Sequence, residues 1–130
     1  MAKLYLLFNH KLTEEQIEDA YRTLNIDSIE EVPKEIKDLW ANIPSDLYSL
    51  KKYLQPVKNF IYSLNKNDYI LIHGDFGAVY LTVSWAFKKG VIPIYSTTKR
   101  IHQETKDKYG NVKMVKVFKH ERFREYELDE

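Results

Sequence analysis

The sequence predicts one α/β domain: a Rossmann-like, mostly parallel sheet flanked by helices, with a C-terminal β-hairpin. Three observations predict it. The opening run Lys3–Phe8 is short and almost wholly apolar, like a strand covered on both faces. From Tyr69 to Tyr95 an apolar strand, a glycine turn, a helix-length segment and a second apolar strand follow one another, the order of a βαβ unit. After Arg100 the runs Ile101–Lys106 and Val112–Lys119 are polar-rich and roughly alternating, on either side of Lys108-Tyr109-Gly110-Asn111. At 130 residues the chain suits one core rather than two. It is read as a single domain, residues 1–98 forming the core and 99–124 a basic hairpin extension.

The first strand leads into Thr13-Glu14-Glu15-Gln16, a capping-box pattern that starts a helix with Ile17, Ala20, Tyr21 and Leu24 on its apolar face. A short strand is expected around Ser28–Val32. Pro33 suits the first turn of a helix through Leu39 and Trp40, which should end before Ile43-Pro44. Ser45 or Asp46 can cap the next helix. Its apolar positions Leu47, Leu50, Leu54, Val57, Ile61 and Leu64 step by three and four, with Pro56 as a kink. Tyr69–Ile72 reads as a buried strand and His73–Gly77 as a tight turn. Ala78–Lys89 reads as a helix apolar nearly all round, stopped by Gly90. Such a helix lies between sheet and other helices, or forms a subunit interface. Val91–Tyr95 is the next strand, at an edge or a bulge because of Pro93. The acidic tail from Glu125 is expected to fray.

The formal charge is only +1, yet it is unevenly spread. Between Ser96 and Arg124 nine Lys/Arg face three Asp/Glu, a charge of +6, which leaves −5 for the rest. Such a segment attracts an anion without a high overall pI; alternatively it is a solvated hairpin kept from aggregating by its charges. Cys is absent, which excludes disulfides, thiolate metal sites and cysteine nucleophiles and suits a reducing cytoplasm. No apolar stretch is long enough for a membrane span, and the N-terminus lacks a signal-peptide pattern.

In an open α/β sheet, ligands bind at the carboxyl ends of the strands. Three segments fall there: Asn9-His10, Gly74-Asp75-Phe76-Gly77, and Ser96-Thr97-Thr98-Lys99-Arg100. The two glycines let backbone amides approach an anion at a helix N-terminus, the threonines add donors, and Lys99 and Arg100 add charge. Gly-x-x-Gly is neither a phosphate-loop nor a dinucleotide fingerprint, so no cofactor is expected, and these glycines equally make a plain turn. Asp75 suits a helix cap. His10, His73, His102 and His120 show no metal-ligand spacing, and no metal is expected. His120 stands beside Arg122, a base next to a phosphate-holding cation; each histidine reads equally as a surface or cap residue. Ser96 lacks a nucleophile-elbow context. Phe76, Tyr80 and Tyr95 can stack on bases or pack the core.

Phe8–Gln16, Leu39–Pro44, His73–Ala78, Ile92–Arg100 and Phe118–Tyr126 together resemble a small stand-alone CRISPR-associated (Csx-type) family of type III systems. That family is similar to the CARF group of Rossmann-like dimers, which bind cyclic oligoadenylate. The resemblance implies a cytoplasmic homodimeric ring nuclease. It would linearise cyclic tetra-adenylate by metal-free attack of a ribose 2′-hydroxyl and so switch off the antiviral signal. Arg100, His120, Arg122 and His10 are the expected catalytic residues, the three segments above the expected binding residues, and neither DNA nor a membrane an expected partner. A binding module that holds the ring without cutting it is the rival expectation, and a generic nucleotide or RNA binder is a third.

Overall fold

The structure, a computed structural model, describes residues 2–129. Its strands are β1 (Ala2–Leu7), β2 (Ile26–Glu31), β3 (Tyr69–Ile72), β4 (Ile92–Lys106) and β5 (Val112–Glu125). Its helices are α1 (Glu14–Thr23), α2 (Lys34–Ala41), α3 (Gln55–Ser63) and α4 (Phe76–Lys89). The five strands form one mixed sheet in the order β2-β1-β3-β4-β5. The first four pair parallel, and β5 runs antiparallel to β4.

Alternation along the strands feeds two cores. Leu4, Leu6, Leu71 and Ile94 face α1, where they meet Ala20, Ile26 and Phe123. Leu7, Ile70 and Ile72 face the other way, onto α2, α3 and α4 through Trp40, Val57, Ile61, Ala78, Trp85 and Ala86. The sheet is therefore covered on both sides, as the unbroken apolar runs of β1 and β3 require. Both halves of the Thr13–Gln16 capping box are present. Gly90 ends α4 in the left-handed region, at φ 85°, a conformation that side chains disfavour.

Four expectations are corrected. The helix expected from Ser45 begins only at Gln55. Pro56 is in its first turn, where a missing N–H costs nothing, instead of kinking a longer helix. Leu47, counted in the apolar stripe, is exposed. Pro93 lies in neither an edge strand nor a bulge: it pairs with Ile70 of β3 and is fully buried. Its carbonyl accepts from Tyr126 N, so its nitrogen also faces the tail side, and the β3–β4 ladder loses no donor. Of the tail Glu125–Glu130 expected to fray, Tyr126 is tied down, because its hydroxyl donates to Ile72 O at 2.8 Å; Glu130 lies outside the described residues. Finally, where separate strands are expected at Val91–Tyr95 and Ile101–Lys106, one strand, β4, runs unbroken from Ile92 to Lys106 and pairs with β5 along most of its length.

Gly74 supplies a test of the packing. A Cβ there would stand 2.8 Å from Trp40 Nε1, which donates to His73 O at 3.0 Å. Gly74→Ala should lower stability by about 1–3 kcal/mol in denaturant unfolding, because the rigid indole must move. Gly77→Ala, whose Cβ meets only ordinary 3.5 Å contacts, should be neutral or slightly stabilising. Equal losses at both glycines would contradict this packing.

Candidate ligand edge

The topology creates a crevice at the carboxyl edge. From β1 the chain turns to α1 on one face; from the neighbouring β3 it turns to α4 on the other. Where neighbouring strands send their connections to opposite faces, the loops diverge and leave room for a ligand. Asn9 and His10 form one lip, and His73, Gly74 and Asp75 the other. Both Asn9 and His10 are exposed, with the His10 ring edge-on to Phe8 at 6.3 Å between centroids. Next along, β4 continues beyond the edge, so Ser96 to Arg100 rise beside the crevice like a wall. A separate hollow lies at the opposite end of the sheet, lined by Ala2, Asn65 and Tyr69.

The β3–α4 turn has a plain structural explanation. Asp75 caps α4, accepting from Ala78 N at 3.0 Å, and Gly74 makes room for Trp40. Gly77 lies in the first turn of α4, and Phe76 projects into solvent with 94% of its surface exposed.

A feature missed in the sequence lies at the root of the wall. Ser96 pairs with Phe123, Thr97 with Arg122, and Thr98 with His120, so Glu121 is an extra residue, a β-bulge. The bulge reverses the alternation and turns His120 to the same face as Ser96 and Phe123, toward α1. There the His120 ring is tilted against Phe123 at 4.7 Å, with its side chain 5% exposed. Its Nε2 is 2.7 Å from Asp19 Oδ2 and its Nδ1 is 2.6 Å from Ser96 Oγ. An ionised Asp19 only accepts, so Nε2 carries a proton and, in the neutral ring, Nδ1 accepts from the Ser96 hydroxyl. Gln16 Nε2 donates to Ser96 Oγ at 3.2 Å, and Arg22 donates to Asp19 Oδ1 at 2.6 Å. A continuous chain thus runs Gln16–Ser96–His120–Asp19–Arg22, from α1 across the ribbon and back. Burial pushes the Asp19 carboxyl upward, but the hydrogen bonds from His120 and Arg22 outweigh it and hold it below the ordinary value.

The other expected residues separate around this chain. The Thr97 hydroxyl accepts from Arg122 N and donates to Arg122 O, so it fastens the bulge. Alternation turns Arg122 to the face opposite His120, which parts the pair read together in the sequence. Arg100 lies farther along the His120 face, stacked over Phe118 at 5.4 Å, and Lys99 is opposite Lys119. On its α1 side His120 borders a hollow of about 260 Å³ lined by Glu15, Glu18, Asp19, Arg22 and Glu121. Four carboxylates against one guanidinium make that approach hostile to an anion.

Asp19 and Gln16 left one trace in the sequence. They fall at i and i+3 on the stripe of α1 that also carries Ala20, so a carboxylate on a sheet-facing stripe called for a buried partner. Among the described residues no group of three or more His, Asp or Glu is placed to hold a metal ion.

Removing the Asp19 charge tests the chain. Asp19→Asn should cost about 1.5–3 kcal/mol at pH 7, the range for a hydrogen bond to a charged group. A lowered native pKa contributes stability above the unfolded value and loses it as pH falls through the native value. The gap between wild type and variant in chemical unfolding should therefore narrow in acid. A gap that stays constant to pH 2 would contradict the assignment.

Comparison with known proteins brings in one family. The profile of the family described as "Uncharacterized protein MJ1673 family" matches residues 2–124. A protein of Methanocaldococcus jannaschii, described as "Uncharacterized protein MJ1673", is 50% identical over 129 residues, which cover 97% of this chain and 98% of that one. No solved structure is a significant match. With a match over nearly its whole length, the chain belongs to the MJ1673 family.

Proposed function

We propose that the protein is a homodimeric, CARF-like ring nuclease, which binds cyclic oligoadenylate across the carboxyl edge and linearises it without a metal. The observation that carries this reading is the position of Ser96. Its hydroxyl joins a buried Asp–His pair to Gln16 at the root of a cationic ribbon, beside the crevice between β1 and β3. In the proposed step a ribose 2′-hydroxyl gives its proton to Ser96 Oγ as Ser96 passes its own to His120 Nδ1. The resulting imidazolium is stabilised by Asp19. The 2′-oxygen attacks the adjacent phosphorus, the bond from phosphorus to the 5′-oxygen breaks, and that oxygen takes a proton from water, whose hydroxide takes back through Ser96 the proton held on His120. The products carry a 2′,3′-cyclic phosphate and a 5′-hydroxyl. Arg100, on the same face as Ser96, holds the phosphate, with Asn9 and His10 on the facing lip. Lys99 and Arg122, on the far face of the ribbon, have no part in this step.

The dimer is supported by α4. Phe76, Tyr80, Val83 and Phe87 step by four, three and four along one stripe, with Phe76 94% and Tyr80 74% exposed. Because the stripe begins at the carboxyl edge, a two-fold through it sets two edges side by side for a symmetric ring. On the family resemblance, the cleavage ends a type III CRISPR signal in the cytoplasm.

One observation favours a second reading, a binder that leaves the ring intact. Both ring nitrogens of His120 are engaged within the protein, and such a chain also serves simply to lock β5 onto α1.

Incubation with labelled cyclic tetra-adenylate in the presence of chelator separates the two. The nuclease reading expects linear products ending in 2′,3′-cyclic phosphate, with turnover reduced ~10²–10⁴-fold in Ser96→Ala and affinity changed only a few-fold. Tight binding of an intact ring establishes the second reading, and no binding overturns both.

A further inference from the structure

Beyond Arg100 the β4–β5 ribbon projects from the sheet, and what it exposes is unlike the remaining surface. Residues 102–106 and 112–116 are exposed on both strands. A bare two-stranded ribbon is marginal in water, so one this long that also displays apolar groups is suited to a partner. Its chemistry identifies which kind. Lys99, Arg100, Lys106, Lys108, Lys113, Lys116 and Lys119 are opposed in this stretch only by Glu104 and Asp107. Among the described residues none of the seven cations forms an ion pair. Asp107 is turned inward on its own turn, accepting from Tyr109 N, Asn111 N and Asn111 Nδ2. The ribbon's positive field is thus left largely uncompensated.

Cations and apolar groups share both faces. The cross-strand pairing puts Arg100, Lys106 and Lys116 on one face with Met114 and Phe118, and Lys99, Lys113 and Lys119 on the other with Val115 and Val117. A membrane-surface element segregates its apolar face from its charged one, and this ribbon does not. Two cations lie over aromatic rings, Arg100 over Phe118 at 5.4 Å and Lys108 over Tyr109 at 5.1 Å. Phe118 and Tyr109 are 61% and 77% exposed. Exposed rings and guanidinium planes spaced among lysines are what a single-stranded nucleic acid uses, bases stacking while phosphates meet ammonium groups.

We propose that the outer ribbon is a binding arm for single-stranded RNA, separate from the crevice. With a rise of ~3.4 Å per residue, the pair His102–Lys116 lies ~20 Å beyond Ser96 and Lys106 ~34 Å beyond it. A small ring held at the crevice leaves these positions free.

The test is fluorescence anisotropy of a labelled 12-nucleotide single-stranded RNA between 50 and 300 mM salt, with the intact chain. The expected result is binding that weakens with salt. In Lys106→Glu/Lys113→Glu/Lys116→Glu it should fall at least ~10-fold at 50 mM salt, with the log–log salt slope reduced by about 2 for three lost phosphate contacts. Phe118→Ala should lower the affinity that persists at high salt, by about tenfold. The triple variant should keep the wild-type unfolding temperature within a few degrees and its handling of cyclic tetra-adenylate, so this proposal fails or stands apart from the crevice reading. No RNA binding at 50 mM salt overturns it. So does binding indifferent to the triple reversal, tighter binding of duplex DNA, or binding of phosphatidylserine vesicles in place of RNA.

Discussion

A buried imidazole with both nitrogens engaged is the constraint on which the upper half of this structure depends. His120 reaches Asp19 and Ser96 only because Glu121 is inserted into β5 as a bulge. The pairing of Thr97 with the Arg122 backbone then holds the bulge in place. Together these fix β5 against α1 at the point where the sheet ends and the ribbon begins. Removing one partner would leave a polar group buried without compensation, which is why the chain has to be complete to be stable.

From that anchor follow both proposed surfaces. The crevice arises from topology, since β1 and β3 send their helices to opposite faces. Its wall arises from β4 failing to stop where its parallel neighbours stop. The same continuity carries the charge outward: the cations begin at the crevice, with Lys99 and Arg100, and continue along the ribbon with little neutralisation. The hollow behind His120, with four carboxylates against one guanidinium, disfavours an anion on that side.

The strands and most helix ends were legible because local chemistry decides them. The capping box at Thr13, the cap at Asp75 and the stop at Gly90 each act within a few residues. The error before Gln55 shows the limit of periodicity: Leu47, Leu50 and Leu54 have helical spacing, but Pro56 makes a better helix start than interior, and Leu47 has no core to face. Pro93 misled for a related reason, since a strand can hide a missing donor on the side where its ladder ends. The candidate site was legible only in part. His120 and Ser96 were singled out separately, but their meeting depends on a bulge, and one inserted residue leaves no mark in an alternation already blurred by charge. Asp19 is 101 residues from His120 in the chain, so only folding joins them.

The most direct test of the account is a chemical-shift titration of the labelled protein with cyclic tetra-adenylate. The account expects the largest backbone amide changes in three separated segments at once: Asn9–Thr13, His73–Gly77 and Ser96–Arg100. Changes confined to the opposite end of the sheet, around Asn65–Tyr69, or to the tip of the ribbon, would contradict it.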